Sequence, residues 1–111
     1  MYGLLEKDLD YIDRALSSFS EIDTAYIFGS RAMGNYKRGS DVDIAISGKG
    51  VTEKTLFQVY DLLNEEYPLP YFFDVVIYED IKNEELKRHI DTVGKKIYQR
   101  ENQTNRSKSP I

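Results

Sequence analysis

The chain has 111 residues, enough for one domain around a single hydrophobic core, and its 41% hydrophobic content indicates a globular protein. Its formal net charge of −4 argues against general nucleic-acid binding, and the lack of cysteine excludes disulfides, thiolate zinc sites and a cysteine nucleophile. No apolar run approaches the ~20 residues that span a bilayer, and no signal-peptide pattern is present, so we expect a cytoplasmic protein without a membrane partner.

The N-terminal half predicts one helix followed by two strands. Strands are predicted at about 24–28 and 41–46, where Val42, Ile44 and Ile46 share the face that we expect to meet the core. The helix precedes them, because apolar residues recur there every three or four positions: Leu5, Leu9, Ile12, Leu16 and Phe19.

The C-terminal half predicts a helix, a strand and another helix. Pro68 ends the first of these helices, a β-branched and aromatic strand follows at 72–78, and Asn83 is expected to cap the last helix. We therefore predict a two-layer α/β (α+β) fold, with a small mixed sheet, helices on one face and the functional site on the other. The domain covers 1–100, and the polar composition of 101–111 predicts a disordered tail.

The stretch between the first two strands carries residues whose chemistry is hard to explain by packing. Gly29 and Ser30 end an apolar strand, a basic loop follows, and Asp41 and Asp43 open the next strand. Residues i and i+2 of a strand share one face, about 6.6–7 Å apart, so the two carboxylates lie opposite the core. They repel each other unless a cation lies between them, and Mg²⁺ suits this position because it binds carboxylates together with substrate phosphates.

A third carboxylate, Asp74, lies within the apolar strand at 72–78. An aspartate inside such a strand is costly unless it is paired or binds a metal. Its parity sets it on the same side of the sheet as Asp41 and Asp43, if the two strands are neighbours. Three carboxylates on one face fit the two-metal arrangement for in-line displacement at phosphorus. The alternatives are a turn and solvated strand face for the pair, and a loop-capping residue for Asp74.

The segment around the Gly-Ser pair offers groups that bind phosphate. Gly29 has no Cβ to keep a phosphate from its backbone, and Ser30 is expected to cap a short helix whose amides point at an anion. Basic side chains of the loop would neutralise phosphate oxygens, although a solvated basic loop is the alternative. Ser40 alternatively caps only the turn into the strand. The candidate phosphate- and nucleotide-binding residues are Gly29, Ser30, Arg31, Lys37 and Ser40.

Gly-Ser, ten residues, Asp-x-Asp and an isolated aspartate on the next core strand together resemble the nucleotidyltransferase superfamily related to DNA polymerase beta. Over residues 5–98 the chain more narrowly resembles the minimal nucleotidyltransferases (MNT), the antitoxin partners of HEPN-domain toxins, by its short length and its segments at 85–90 and 93–98. This resemblance implies the nucleotidyltransferase fold and a triphosphate bound at the Gly-Ser pair.

The resemblance also implies the roles of the carboxylates. Asp41 and Asp43 would hold two Mg²⁺ ions, and Asp74 would complete one metal site and favour deprotonation of the attacking hydroxyl. The substrate would be ATP, with AMP transferred to a hydroxyl, most simply a tyrosine of a HEPN-type helical toxin in trans.

Two other functions stay open. A binding antitoxin would mask its partner without catalysis. Transfer to a small-molecule acceptor is less favoured, since the predicted elements fill nearly all of 5–98 and leave no acceptor-binding domain. His89, the only histidine, is interpreted as a surface or boundary residue, and Tyr36 as a candidate stacking residue beside the triphosphate.

Overall fold

The computed structural model describes residues 1–101, so the tail predicted at 101–111 lies, apart from Glu101, outside the described residues. A π-helical turn, Leu62–Glu66, continues the third helix, and a 3₁₀ turn, Tyr78–Asp80, follows the third strand. No helix within 1–101 has the length and apolar character needed to cross a bilayer. The elements in chain order are α1 (Glu6–Ser17), β1 (Thr24–Phe28), α2 (Gly29–Met33), β2 (Val42–Ser47), α3 (Glu53–Asp61), β3 (Phe73–Ile77), α4 (Glu84–Val93) and β4 (Lys95–Gln99).

The four strands form one mixed sheet in the order β3-β2-β1-β4. β1 pairs antiparallel with β2 and β4, whereas β2 pairs parallel with β3. Parallel neighbours need a long crossover, and α3 supplies it. The register sets Phe28 opposite Asp43, and Asp43 opposite Asp74.

One face of the sheet holds the main core. Val42, Ile44 and Ile46 are fully buried there, as their alternation predicted, and residues of α1 and α3 pack against them. The predicted cap of α4 is confirmed at Asn83, and Thr52 caps α3 in the same way. Thr52 accepts a hydrogen bond from the Thr55 amide, and Asn83 accepts one from the Leu86 amide.

The opposite face carries a smaller apolar cluster of Phe28, Ala45 and Ile90. Ile90 belongs to α4, so this helix covers part of the face that we expected to be free of helices. The α/β fold class is confirmed, and the placement of α4 is where the structure differs from the expectation. The apolar stripe of a helix predicts that one side is buried, but it does not select the sheet face.

Two element boundaries near the predicted site also differ from expectation. α2 begins at Gly29 with Phe28 as the residue before it, so Ser30 lies inside the first turn and is not the N-cap. β2 begins at Val42, which leaves Asp41 just outside the strand.

Candidate active site

Two aspartates are register partners near the start of β2 and β3, and a third precedes β2. Asp43 lies in β2 and is half-buried, and its direct register partner on the neighbouring strand is Asp74. Neighbouring strands lie about 4.8 Å apart, so these two side chains are adjacent on the face opposite the main core. Asp41, exposed at the entrance of β2, is close enough to repel the charge of Asp43.

This grouping perturbs the ionisation of Asp43. Burial raises the pKa of its carboxyl, and the charges of Asp74 and Asp41 raise it further. His89 and Arg31 act in the opposite direction and lower it, but the net direction is upward. The site therefore has an excess of negative charge that a cation would relieve.

Asp74 is exposed, because β3 is an edge strand of the sheet. The expectation of a costly buried carboxylate was wrong for this residue. Its parity was predicted correctly, since Phe73, Val75 and Ile77 point into the core. An exposed carboxylate at a sheet edge is open to a second molecule.

Gly29 lies directly behind the Asp43 carboxylate. Its φ of +74° is in the left-handed region that favours glycine. A Cβ at this position would collide with Oδ2 of Asp43 and lie 3.3 Å from its Cγ. The glycine is therefore required both by the turn from β1 into α2 and by the position of the carboxylate.

His89 is a site residue that the sequence pattern did not reveal. Its Nε2 accepts a hydrogen bond of 3.0 Å from the Gly29 amide, and its ring meets the edge of Phe28 with centroids 6.1 Å apart. The half-buried imidazole thus links α4 to the start of α2. Because 60 positions separate the two residues, only the fold of α4 onto this face brings them together.

The predicted nucleotide-binding residues fall into two groups. Gly29 and Ser30 lie at the start of α2, beside Asp43. Arg31 is instead turned into the protein, 3% exposed, and donates to backbone carbonyls. The Ser40 hydroxyl accepts a hydrogen bond from the backbone amide of Lys37, whose side chain is exposed. Nucleotide binding by this set stays a prediction.

The donor chemistry of the aspartates fits magnesium. Among residues 1–101, no three acidic or histidine side chains lie close enough together to hold a metal ion by themselves. Mg²⁺ does not need such a cage, since it usually keeps several waters and binds one or two carboxylates plus substrate phosphates. Adjacent carboxylates on an open face, with unrelieved repulsion, are suited to that kind of site.

Comparison with known proteins identifies the class. Residues 10–103 match the family model "Polymerase beta, Nucleotidyltransferase", and the chain belongs to this family. The superfamily resemblance of the motif is therefore confirmed. A search of curated proteins finds no match.

Solved structures share the fold. A toxin-antitoxin crystal structure with AMP-PNP superposes with a TM-score of 0.68 at 22% identity, covering 89% of this chain and 77% of the other. The toxin-antitoxin MntA-HepT gives a TM-score of 0.65 at 18% identity, with 93% and 78% covered. These similarities show that the chain shares the fold of those structures, and its four-stranded mixed sheet is consistent with the nucleotidyltransferase fold.

Proposed function

We propose that the chain is a magnesium-dependent nucleotidyltransferase that transfers AMP from ATP to a hydroxyl of a HEPN-type toxin, and thereby acts as its antitoxin. The observation that carries this proposal is the register of Asp43 opposite Asp74, with Asp41 beside them on an open face. Membership of the polymerase beta nucleotidyltransferase family supports the reaction class. The structural similarity to toxin-antitoxin proteins, one of them with AMP-PNP, supports the nucleotide and the partner.

Each residue of the proposed site has a separate role in the transfer. Asp41 and Asp43 would hold Mg²⁺, which when bound neutralises charge on the phosphate oxygens. The turn at Gly29 and Ser30 orients the triphosphate. Asp74, exposed at the sheet edge, accepts the proton of the incoming hydroxyl. The hydroxyl oxygen bonds to the α-phosphorus, the bond from that phosphorus to the bridging oxygen breaks, and pyrophosphate leaves.

The acceptor is proposed to come from a second chain. Within residues 1–101, the helices and strands build one sheet and its covering layers, and Asp41 and Asp74 are exposed beside the half-buried Asp43. A hydroxyl must be held near the α-phosphorus for efficient attack, and a partner protein would supply that positioning. A tyrosine hydroxyl is the proposed acceptor.

The test uses the purified chain, Mg²⁺, ATP and a HEPN-type protein as the partner. Intact-protein mass spectrometry should show the partner gaining whole AMP units, and Asp43→Asn should abolish the gain. Asp74→Asn should lower turnover far more than ATP affinity, because its contact with the acceptor forms mainly in the transition state. If the partner instead forms a stable complex and stays unmodified, the chain is an antitoxin that acts by binding alone.

A further inference from the structure

Arg31 follows the Gly-Ser pair, yet its side chain is buried and its guanidinium donates to three backbone carbonyls. Nε donates to the carbonyl oxygens of Ser40 and Asp41 at 3.1 and 3.3 Å. Nη2 donates to the same Ser40 oxygen at 2.8 Å, and Nη1 donates to the carbonyl oxygen of Tyr2, also at 2.8 Å. A single side chain therefore joins the N-terminal segment to the loop that enters β2.

Two aromatic rings lie against this guanidinium. Its central carbon lies 5.1 Å from the ring centroid of Tyr36 and 5.2 Å from that of Tyr71, within the range of cation–π contact. Tyr71 is itself fixed, since its hydroxyl donates to the buried carboxylate of Asp8 at the start of α1. Because its N–H groups donate to carbonyls and two tyrosine rings pack against it, Arg31 is not free to bind a phosphate.

The contact to Asp41 matters because that residue lies at the end of the pairing of β2 with β3. The pairing of β2 with β3 begins at Val42, opposite Phe73, and Asp41 lies just before it. The peptide unit that follows Asp41 is held at both of its polar groups: the Val42 amide donates to the Phe72 carbonyl at 2.9 Å, and the Asp41 carbonyl accepts from Nε of Arg31 at 3.3 Å. The backbone from which the Asp41 carboxylate projects is therefore held in part by this buried guanidinium.

We propose that Arg31 is a positioning residue for Asp41. Tyr2 and Gly3 in turn hold the Arg31 guanidinium in place. This inference rests on the proposed role of the aspartates in binding Mg²⁺. Arg31 acts through backbone carbonyls at the entrance of β2 and makes no contact with the nucleotide.

Gly3 offers a way to disturb Arg31 without changing it. Gly3 has a φ of +76°, and a Cβ there would lie 2.7 Å from Nη1 of Arg31 and 2.6 Å from Cε2 of Tyr36. Gly3→Ala therefore pushes the guanidinium and its stacking partner directly. Gly34→Ala is the matched control, because Gly34 has a φ of +84° but no atom within 4 Å of an added Cβ.

Arg31→Lys separates charge from geometry. Lysine keeps the positive charge, but its single ammonium cannot reproduce the planar fork that spans three carbonyls. Arg14→Lys is the control, since Arg14 also stacks on two tyrosine rings, at 5.0 and 5.9 Å, but lies exposed on α1.

The first measurement is the kinetics of AMP transfer to the HEPN-type partner. Arg31→Lys and Gly3→Ala should lower kcat up to about 100-fold, the effect of a displacement of about 1 Å at a catalytic group. KM for Mg-ATP should change less than about twofold, whereas the Mg²⁺ concentration for half-maximal rate should rise. Both controls should behave as wild type. A raised KM with unchanged kcat, or wild-type kinetics in both variants, would overturn the inference.

The second measurement needs no transfer activity. Mn²⁺ added to ¹⁵N-labelled protein should broaden the amide signals of Asp41, Asp43 and Asp74 in wild type. In Arg31→Lys and Gly3→Ala the same broadening should need a higher Mn²⁺ concentration, because one of the carboxylate ligands is displaced. This pattern without any transfer would contradict the proposed function and leave the role of Arg31 intact. Identical broadening in all proteins, or none in wild type, would overturn that role. If circular dichroism shows that Arg31→Lys is unfolded, the results for Gly3→Ala decide whether Arg31 has the proposed role.

Discussion

Asp43 lies half-buried beside two other carboxylates, and burial first, then Asp74 and Asp41, raise its pKa. A carboxyl whose pKa is raised by folding destabilises the fold when it is ionised. The penalty is absent below the ordinary value of 3.8, where the group is protonated in both states, and it develops as the pH rises through the folded-state pKa. At neutral pH the free energy of unfolding is therefore lower than it would be without this charge.

Asp43→Asn should accordingly raise Tm at pH 7 in the presence of EDTA, and the gain should shrink as the pH falls toward 3.8. Each kcal/mol of relieved repulsion corresponds to about 4–8 °C in a domain of this size. Thermal unfolding of wild type and variant from pH 3 to pH 8 measures the difference. Asp10→Asn, on the exposed side of α1, serves as the control. A gain that is independent of pH, or a loss at pH 7, would contradict the sign argued here.

A second prediction concerns the effect of adding a side chain at Gly29. Gly29→Ala and Gly34→Ala both place a side chain at positive φ, which costs about 1–2 kcal/mol in the free energy of unfolding. Only the first also displaces the Asp43 carboxylate. Urea denaturation should therefore show a loss of at least this size in both, whereas AMP transfer should fall about 100-fold in Gly29→Ala alone. Equal transfer rates in the two variants would show that the glycine serves only the turn.

Local sequence patterns predicted the strands and their buried faces, but not which strands are neighbours or which sheet face α4 covers. Alternation of Val42, Ile44 and Ile46 with polar residues is a property of β2 itself, so the buried face follows from the sequence. The adjacency of Asp43 and Asp74 also needed the parallel crossover, and was predicted only on the condition that the strands are neighbours. The face chosen by α4 depends on Phe28 and other distant residues, which periodicity within the helix does not contain.

The same limit applies to side chains that act at a distance. Arg31 was expected to meet phosphate because it is basic and follows the Gly-Ser pair, but three carbonyls and two aromatic rings from other segments surround it. His89 was interpreted without a partner, and the fold supplies one in the Gly29 amide. Residue type and spacing identified the carboxylates, whereas the tertiary contacts determine how the neighbouring groups support them.

The contact between α4 and α2 can be observed directly, since His89 is the only histidine of the chain. Its Nε2 accepts from the Gly29 amide, so the neutral ring should carry its proton on Nδ1. Nitrogen NMR of the imidazole should show this tautomer. If the Gly29 amide exchanges its hydrogen bond to His89 for one to a phosphate, saturating Mg-ATP should shift the Nε2 and Gly29 amide signals together. Unchanged signals at saturation would contradict phosphate binding at that amide.

For the whole molecule, ligand binding and folding are linked. Clustered carboxylates lower the stability of the free protein, and their neutralisation by Mg²⁺ and ATP should restore it, in a chain whose net charge is already −4. A ligand that binds only the folded state stabilises it by about 2.7 kcal/mol at 100 times its Kd. For a domain of about 100 residues, this corresponds to a rise in Tm of about 10 °C or more.

Mg-ATP at that concentration should therefore raise the Tm of wild type by about 10 °C. ATP with EDTA should give a much smaller rise, because the aspartates then face the triphosphate without a cation between them. The double variant Asp43→Asn, Asp74→Asn should start from a higher Tm in the free state and gain little from Mg-ATP, since the charge that the ions would neutralise is gone. Each protein is compared with its own ligand-free baseline, so the two effects are measured separately. An equal rise in wild type and the double variant would mean that the nucleotide binds elsewhere on the molecule, and the three aspartates would then lose their assigned role in holding it.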